Sequence, residues 1–367
     1  MSTERRIAVF VPNLVGGGAE RVVVNLLKGL VAKNIPLDLI LGNAEGCYLT
    51  QVPKQVRIVN FAVERVVKAI LPLSNYLRQE KPYALLSQMN HTNIAAVVAK
   101  ELARVNTQLV LVEHVHLSVA KSNLLRGNLV LPFVKLLYPR ADDIVGVSKG
   151  VARDLEVQLG FATGKVNVIY NPIVDDALIA KAKAPLEHPW FQADSPPVFL
   201  AVGRLTEQKD FSTLIEAFAL LRKQTIAHLL ILGEGESRSE LEALVRELGI
   251  AADVAMPGFV DNPYMYMSRA SVFVLSSRWE GLGLVLIEAL ACGCPAIATD
   301  CLSGPREILA DGKYGALVPV GDIEALSAAM LKTLHAPTKR DLLIERAMYF
   351  SIDRAVSEYL ALLDYIH

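Results

Sequence analysis

Long hydrophobic runs are missing from this chain. No window approaches the ~18 uncharged apolar residues of a bilayer-spanning helix, so no membrane-crossing segment is expected. Cysteine is scarce: Cys47, Cys292, Cys294 and Cys301 are the full complement. They form no paired C-x-x-C elements with histidine partners, which argues against a structural zinc site. Three of them lie in an apolar stretch, where buried free thiols in a reducing compartment are the simpler reading. Charge of one sign is not in excess either. With 37 Lys and Arg against 38 Asp and Glu, the formal net charge is -1, and a general nucleic-acid binder would need a broad positive surplus. The opening Met1-Ser-Thr-Glu-Arg-Arg-Ile-Ala-Val-Phe reaches a strand-like run too early and too briefly for a secretory leader. A cytoplasmic protein is expected.

What the chain does have is size and apolar content. Its 367 residues are 52% hydrophobic, enough for two α/β domains with separate cores and too much for a disordered or disulfide-stapled chain. Strand-like runs at Ile7–Val11, Leu37–Leu41, Leu109–Val112 and Ile144–Val147 alternate with helical stripes such as Val22, Val23, Leu26, Leu27 and Leu30. Between Asn171 and Pro197 the pattern dissolves into Pro, Ala, Lys and Asp. It then restarts with Val198–Val202, a stripe of Phe211, Leu214, Ile215, Phe218 and Leu221, and strands at Leu229–Leu232, Val272–Leu275 and Ala296–Ala298. This predicts residues 1–172 as one Rossmann-like domain, 173–197 as a linker and 198–345 as a second Rossmann-like domain. Residues 346–367 read as a C-terminal helix that packs back across both units. Such sheets are mostly parallel, with ligands at their strand carboxyl ends.

Charge is uneven within this neutral total. Residues 51–140 hold 12 Lys and Arg against 4 Asp and Glu. The segment from Leu124 to Arg140 interleaves aliphatic residues with cations, which suits either peripheral contact with an anionic membrane or a core helix with snorkelling Lys and Arg.

Three loops carry the candidate chemistry. Gly16-Gly17-Gly18-Ala19-Glu20 follows the first strand, where glycines let backbone N–H groups approach an anion at a helix N-terminus. A plain tight turn is the alternative. Arg21 stands where a dinucleotide fingerprint needs its third glycine and no G-K-[ST] follows, so dinucleotide oxidoreductases and P-loop NTPases both lose ground. After Val198–Val202 comes Gly203-Arg204-Leu205-Thr206-Glu207-Gln208-Lys209-Asp210. With Asp210 as N-cap, Arg204 and Lys209 converge on the positive end of a helix, an arrangement suited to a diphosphate. The third loop leads from Ser276 through Glu280-Gly281-Leu282-Gly283 into a helix bearing Glu288. Two carboxylates there can grip hydroxyls on either side of an anion held by the N–H groups of Gly283, Leu284 and Val285. Those are the parts of a sugar nucleotide. A capping carboxylate with a satisfied helix glutamate is the plainer alternative.

At this point the chain resembles the family-4 glycosyltransferases with the two-domain GT-B fold. The resemblance runs through Gly16-Gly-Gly-Ala-Glu-Arg, Glu113-His114, Val145-Gly-Val-Ser-Lys-Gly-Val, Gly203-Arg-Leu with Gln208-Lys, the Glu280/Glu288 pair and Ala291-Cys-Gly-Cys-Pro. It implies two parallel-sheet domains facing across a cleft, the first on the acceptor side. It also implies retaining transfer of a hexose or N-acetylhexosamine from a nucleotide diphosphate sugar, with UDP ahead of GDP as carrier and no metal or other cofactor. Arg204 and Lys209 would hold the diphosphate, Glu288 the ribose, and Glu280 the transferred sugar. The backbone of Gly258, Phe259 and Val260 would meet the base, while Gly17 and Gly18 approach the phosphates. His114 is the functional histidine beside the donor sugar, with His116 a rival under another register. Asp300-Cys-Leu-Ser-Gly-Pro-Arg-Glu307 resembles a branch acting in surface-polysaccharide and lipid-linked oligosaccharide assembly, with Ser303 and Gly304 lining the donor side. Such an enzyme would work in the cytoplasm, peripherally on the inner face of the membrane. The rival classes are a non-hydrolysing epimerase of the same architecture and a non-catalytic nucleotide-sugar sensor.

Overall fold

The computed structural model describes residues 5–122 and 127–365, and the chain divides into two compact units. The first comprises residues 1–172 together with 352–367, and the second residues 173–351.

Seven strands build the first unit's sheet: Ile7–Val11 (β1), Leu37–Leu41 (β2), Arg57–Asn60 (β3), Ala84–Gln88 (β4), Gln108–Glu113 (β5), Asp143–Gly146 (β6) and Asn167–Val168 (β7). Their order is β3-β2-β1-β4-β5-β6-β7 and every pairing is parallel. In β1, β2 and β4 each residue is buried, which requires helices on both faces and explains the continuous apolar run of β1 and the one broken only by Asp38 in β2. Ser87 and Gln88 interrupt the run of β4 yet are themselves buried, so this strand carries a weaker apolar signature than its neighbours. The edge strand β3 is largely exposed and shows none.

The second unit repeats the plan with Val198–Val202 (β8), His228–Leu232 (β9), Val254–Gly258 (β10), Val272–Leu275 (β11), Ala296–Thr299 (β12) and Ala316–Val318 (β13). These six lie in the order β10-β9-β8-β11-β12-β13, again all parallel. Phe199, Ala201, Leu229, Ile231, Val272 and Val274, two apart on each strand, share one core with Phe211, Leu214, Ile215 and Phe218 of the helix Phe211–Arg222. The alternate residues Leu200, Leu230 and Phe273 are fully buried as well, so the other face is also covered. In both sheets the order reverses beside the first strand, between β1 and β4 and between β8 and β11. Open α/β sheets bind ligands outside the strand carboxyl ends at that reversal.

Residues 173–197, linker-like in composition, lie inside the second unit. Asp175 caps the helix Asp176–Ala182 by accepting from Leu178 N at 2.8 Å. Ser268 Oγ then donates to Ala182 O at 2.7 Å and Arg269 Nη2 to Ala184 O at 2.8 Å. Trp190 stacks on His228 with centroids 4.2 Å apart. Side chains from the second unit thus supply the order that local periodicity lacks. The helix Ile352–Leu362 packs on the helix Gly18–Ala32 of the first unit. A Cβ on Gly29 would come within 2.6 Å of side-chain atoms of both Ile352 and Val356, so the close approach depends on that missing methyl. Tyr83 Oη donates to Leu363 O at 2.6 Å and anchors the end of the chain.

Candidate active site

The second unit gathers its charged candidates at the carboxyl ends of β8 and β11. Lys209 ends the short turn Glu207–Lys209 after β8, and Glu280 lies in the loop after β11. Lys209 Nζ sits 2.5 Å from Glu280 Oε1, and Ser277 Oγ donates to the same oxygen at 2.7 Å. Both donors fall on Oε1, which leaves Oε2 to accept from another group. Glu280 is only 7% exposed, so its counter-charge matters: stripping one partner from a buried pair leaves a desolvated charge. Two further bonds stitch the loops together. Gln208 Nε2 donates to Trp279 O at 2.9 Å, and Ser276 Oγ to Lys209 O at 2.7 Å. Arg204, in contrast, is exposed and makes no side-chain hydrogen bond or ion pair among the described residues.

Asp210 does not act as the expected cap. It stands before the helix Phe211–Arg222, but its φ of 48° is left-handed and no side-chain cap bond forms. Its carboxylate instead accepts from Thr213 Oγ1 at 2.9 Å and pairs with Arg278 Nε at 3.1 Å. The left-handed turn carries the side chain away from the helix N–H groups.

Gly283 (φ 93°) opens the helix Leu284–Ala291, whose first N–H groups, including those of Leu284 and Val285, lack intrahelical partners. On this helix Glu288 is 1% exposed and Oε1 accepts from Tyr264 Oη at 3.3 Å. Ser303 Oγ donates to the carbonyls of Glu280 and Gly281, both at 3.3 Å, and Gly304 backs onto Leu282. Gly258 ends β10 with φ 94°. Phe259, 76% exposed, and Val260 follow it.

The first unit carries a largely neutral counterpart. The helix Gly18–Ala32 has Gly17 at its N-cap with extended backbone, while the left-handed residue of the loop is Gly16, at φ 136°. Gly17 and Gly18 therefore sit at the open helix end after β1. His114 follows β5, and its Nε2 lies 2.8 Å from Gln88 Oε1 at the end of β4. Desolvation pushes its pKa down to about 4, so the ring is neutral at neutral pH. Glu113 beside it is fully buried, accepting from Tyr138 Oη and from Asn93 Nδ2, the latter at 2.9 Å. Burial, outweighing those two bonds, pushes its pKa up to about 7. His116 turns instead toward Asp154, with Nδ1 3.9 Å from the carboxylate.

Comparison with known proteins identifies the family and the fold. Residues 16–177 match the family described as Glycosyltransferase Family 4, and residues 186–348 the family described as Glycosyl transferases group 1. Over 341 residues the chain is 33% identical to an N-acetylgalactosamine-N,N'-diacetylbacillosaminyl-diphospho-undecaprenol 4-alpha-N-acetylgalactosaminyltransferase of Campylobacter jejuni, covering 90% of each protein. The chain belongs to the family-4 glycosyltransferases. Its GT-B fold is shared with the lipopolysaccharide outer core galactosyltransferase WaaB, at TM-score 0.75 and 21% identity over 98% of this chain and 100% of that one. Anabaena HepE in complex with UDP aligns at TM-score 0.76 and 19% identity over the same shares.

Several groups at the strand ends of this glycosyltransferase are not legible as site residues in its sequence. Gly233 (φ 143°) and Gly235 follow β9, and a Cβ on either would lie within 2.2 Å of the carbonyl oxygens of Gly203 or Leu205. Only glycine lets this loop lean on the one bearing Arg204. The signal for it is Gly-Glu-Gly directly after Leu229–Leu232. Ser277, three residues before its partner Glu280, carries no signal as a single letter, and Gln88 is hidden because its strand goes unrecognised and its partner His114 is 26 residues away. Three of the four cysteines prove inert: Cys292, Cys294 and Cys301 are buried, and burial pushes the first and third up to about 12.

Proposed function

We propose that this glycosyltransferase moves a hexose or N-acetylhexosamine from a UDP-linked donor to a glycan or lipid-linked acceptor, with retention at the anomeric carbon and without a metal ion. The observation that carries the reading is the cluster of Lys209, Ser277 and Glu280 beside the open N-terminus of the helix Leu284–Ala291, with the uncommitted Arg204 on the adjoining loop. Lys209, Arg204 and the N–H groups of Gly283, Leu284 and Val285 stabilise charge developing on a departing diphosphate. Such preorganised donors are worth about 3–4 kcal/mol each. Glu280 accepts hydroxyls of the transferred sugar and Glu288 those of the ribose, while Gly258, Phe259 and Val260 meet the base. From the first unit, Gly17 and Gly18 approach the phosphates and His114 contacts the donor sugar.

In this mechanism the bond from the anomeric carbon to the diphosphate oxygen breaks, and its electron pair leaves with the diphosphate. The acceptor oxygen bonds to the same face of that carbon, and its proton passes to the departing phosphate oxygen. Retention follows without a covalent enzyme intermediate. The UDP complex of Anabaena HepE and the diphospho-undecaprenol-linked substrate in the Campylobacter relative's name support the donor and acceptor classes.

Peripheral membrane contact belongs to the same proposal. Phe133 and Leu136 are 56% and 60% exposed on the helix Gly127–Leu137, beside exposed Lys135 and Arg140, while Val134, Leu137 and Tyr138 face inward. Leu124, Leu125 and Arg126 of the basic segment lie outside the described residues. Among the described residues no helix is long and apolar enough to cross a membrane.

The test is a transfer assay with UDP-glucose, UDP-N-acetylglucosamine and UDP-N-acetylgalactosamine, offered with a polyprenyl-diphosphate-linked sugar. Product with an α-linkage from the α-linked donor is expected. Alteration of the free nucleotide sugar alone would identify an epimerase. An inverted linkage would refute same-face attack.

A further inference from the structure

We propose that Gln88 is a positioning residue for His114: its side-chain oxygen holds the imidazole as the Nε2–H tautomer and leaves Nδ1 as the ring's acceptor for a substrate hydroxyl. The proposal rests on the reading of His114 as a sugar contact.

Gln88 is the last residue of β4, paired in register with Val112 of β5 two residues before His114. It is 1% exposed and its Oε1 lies 2.8 Å from His114 Nε2. An amide oxygen only accepts, so the facing nitrogen must carry the proton and the other nitrogen keeps its lone pair. The ring is neutral over the working range, so this choice decides what it offers a ligand.

Two features fix the pair in place and a third bears on why an amide stands there. Met89, directly after Gln88, has φ 77° and ψ 147°, a region that is strained for a non-glycine residue and clusters at functional sites. Its N–H is held by Val112 O at 3.1 Å and its carbonyl accepts from Thr92 Oγ1 at 2.9 Å. Behind His114, Glu113 points into Tyr138 and Asn93, and Asn93 Nδ2 also donates to Val112 O at 3.1 Å. The third feature is a penalty. Gln88 Nε2 is buried with no hydrogen-bond partner among the described residues, and an unmet buried donor is destabilising. A leucine would fill the space without that cost, so the amide is explained by its oxygen. Other titratable groups near this strand end face different partners: Glu113 meets Tyr138, His91 Nδ1 lies 3.3 Å from Asn90 Oδ1, and His116 and Asp154 face one another.

The experiment combines long-range proton–nitrogen NMR of the ¹⁵N-histidine-labelled full chain with steady-state transfer kinetics. The parent enzyme is expected to show His114 as the Nε2–H tautomer. Gln88→Leu should lose that preference and lower kcat by at least about tenfold, with KM little changed. Gln88→Glu, whose carboxylate still accepts from Nε2, should keep the tautomer and restore most of kcat at neutral pH. It should also move the acid limb of the kcat profile upward, because a carboxylate favours the imidazolium. An Nδ1–H ring in the parent enzyme would overturn the proposal even if Gln88→Leu failed to fold. Unchanged tautomer and kcat in folded Gln88→Leu would do the same. Full activity in His114→Ala would instead remove the reading of His114, and with it the purpose assigned to Gln88, while the tautomer measurement stands by itself.

Discussion

The two units share one architecture, a parallel sheet with its order reversing beside the first strand, and dress that reversal in opposite ways. In the second unit the strand ends carry a lysine–glutamate pair and a free arginine. In the first they carry glycines, a neutral histidine and a buried glutamic acid with a raised pKa. Under the proposed roles, the second unit's cations would meet a leaving group that gains charge while its carboxylates take hydroxyls, and the first unit would offer uncharged groups, the backbone of Gly17 and Gly18 and the His114 ring. One architecture thus carries two different sets of strand-end side chains, and the difference lies in a handful of residues at equivalent places.

The sharpest way to break this contrast is to remove the cations. Arg204→Ala and Lys209→Ala should each lower turnover by about 10²–10³-fold. Their stabilities should diverge. The exposed Arg204 is dispensable to folding, whereas loss of Lys209 leaves Glu280 desolvated beside Ser277 alone, lowering the thermal midpoint. Full turnover in the double variant would remove the diphosphate assignment.

A second prediction concerns the neutral side. With its pKa raised from 4.5 to about 7, Glu113 binds its proton more tightly in the folded chain. Its contribution to stability is complete below pH 4.5 and is lost as pH rises through 7, an amount of roughly 3 kcal/mol. His114 works in the other direction, since a depressed pKa costs stability as pH falls from 6.5 through about 4. Glu113→Gln removes only the first effect. Urea midpoints measured from pH 5 to 8 should therefore fall with pH in the parent relative to the variant. Parallel curves would mean that Glu113 is ionised, and the contrast between the units would fail.

The smallest effect is expected at Arg278, whose side chain is 46% exposed against Asp210. Arg278→Ala should cost about 1 kcal/mol or less in chemical denaturation and leave turnover within a few-fold. A large loss of turnover would add Arg278 to the charged grip.

Legibility from sequence followed locality. Lys209, Glu280 and Glu288 stand within a few residues of the strand or helix that positions them, so letters and spacing sufficed to single them out. Asp210 misled because its cap geometry depends on a left-handed backbone and on Arg278, 68 residues away. Gln88 was hidden by a polar ending to β4. The bond between Tyr138 and Glu113 joins residues 25 apart, across a helix and a strand. Residues 173–197 read as a linker because their order comes from partners such as Ser268 and Arg269.

By itself the sequence determined the alternating strands and helices, the glycine-bearing turns and the charged letters at strand ends, since apolar periodicity and backbone freedom are properties of short segments. The tertiary structure alone decided which oxygen of Glu280 is already occupied, that the His114 pKa is pushed down and that the Glu113 pKa is pushed up. Those depend on desolvation and on partners brought from distant segments, and no local pattern encodes how much water a folded chain excludes.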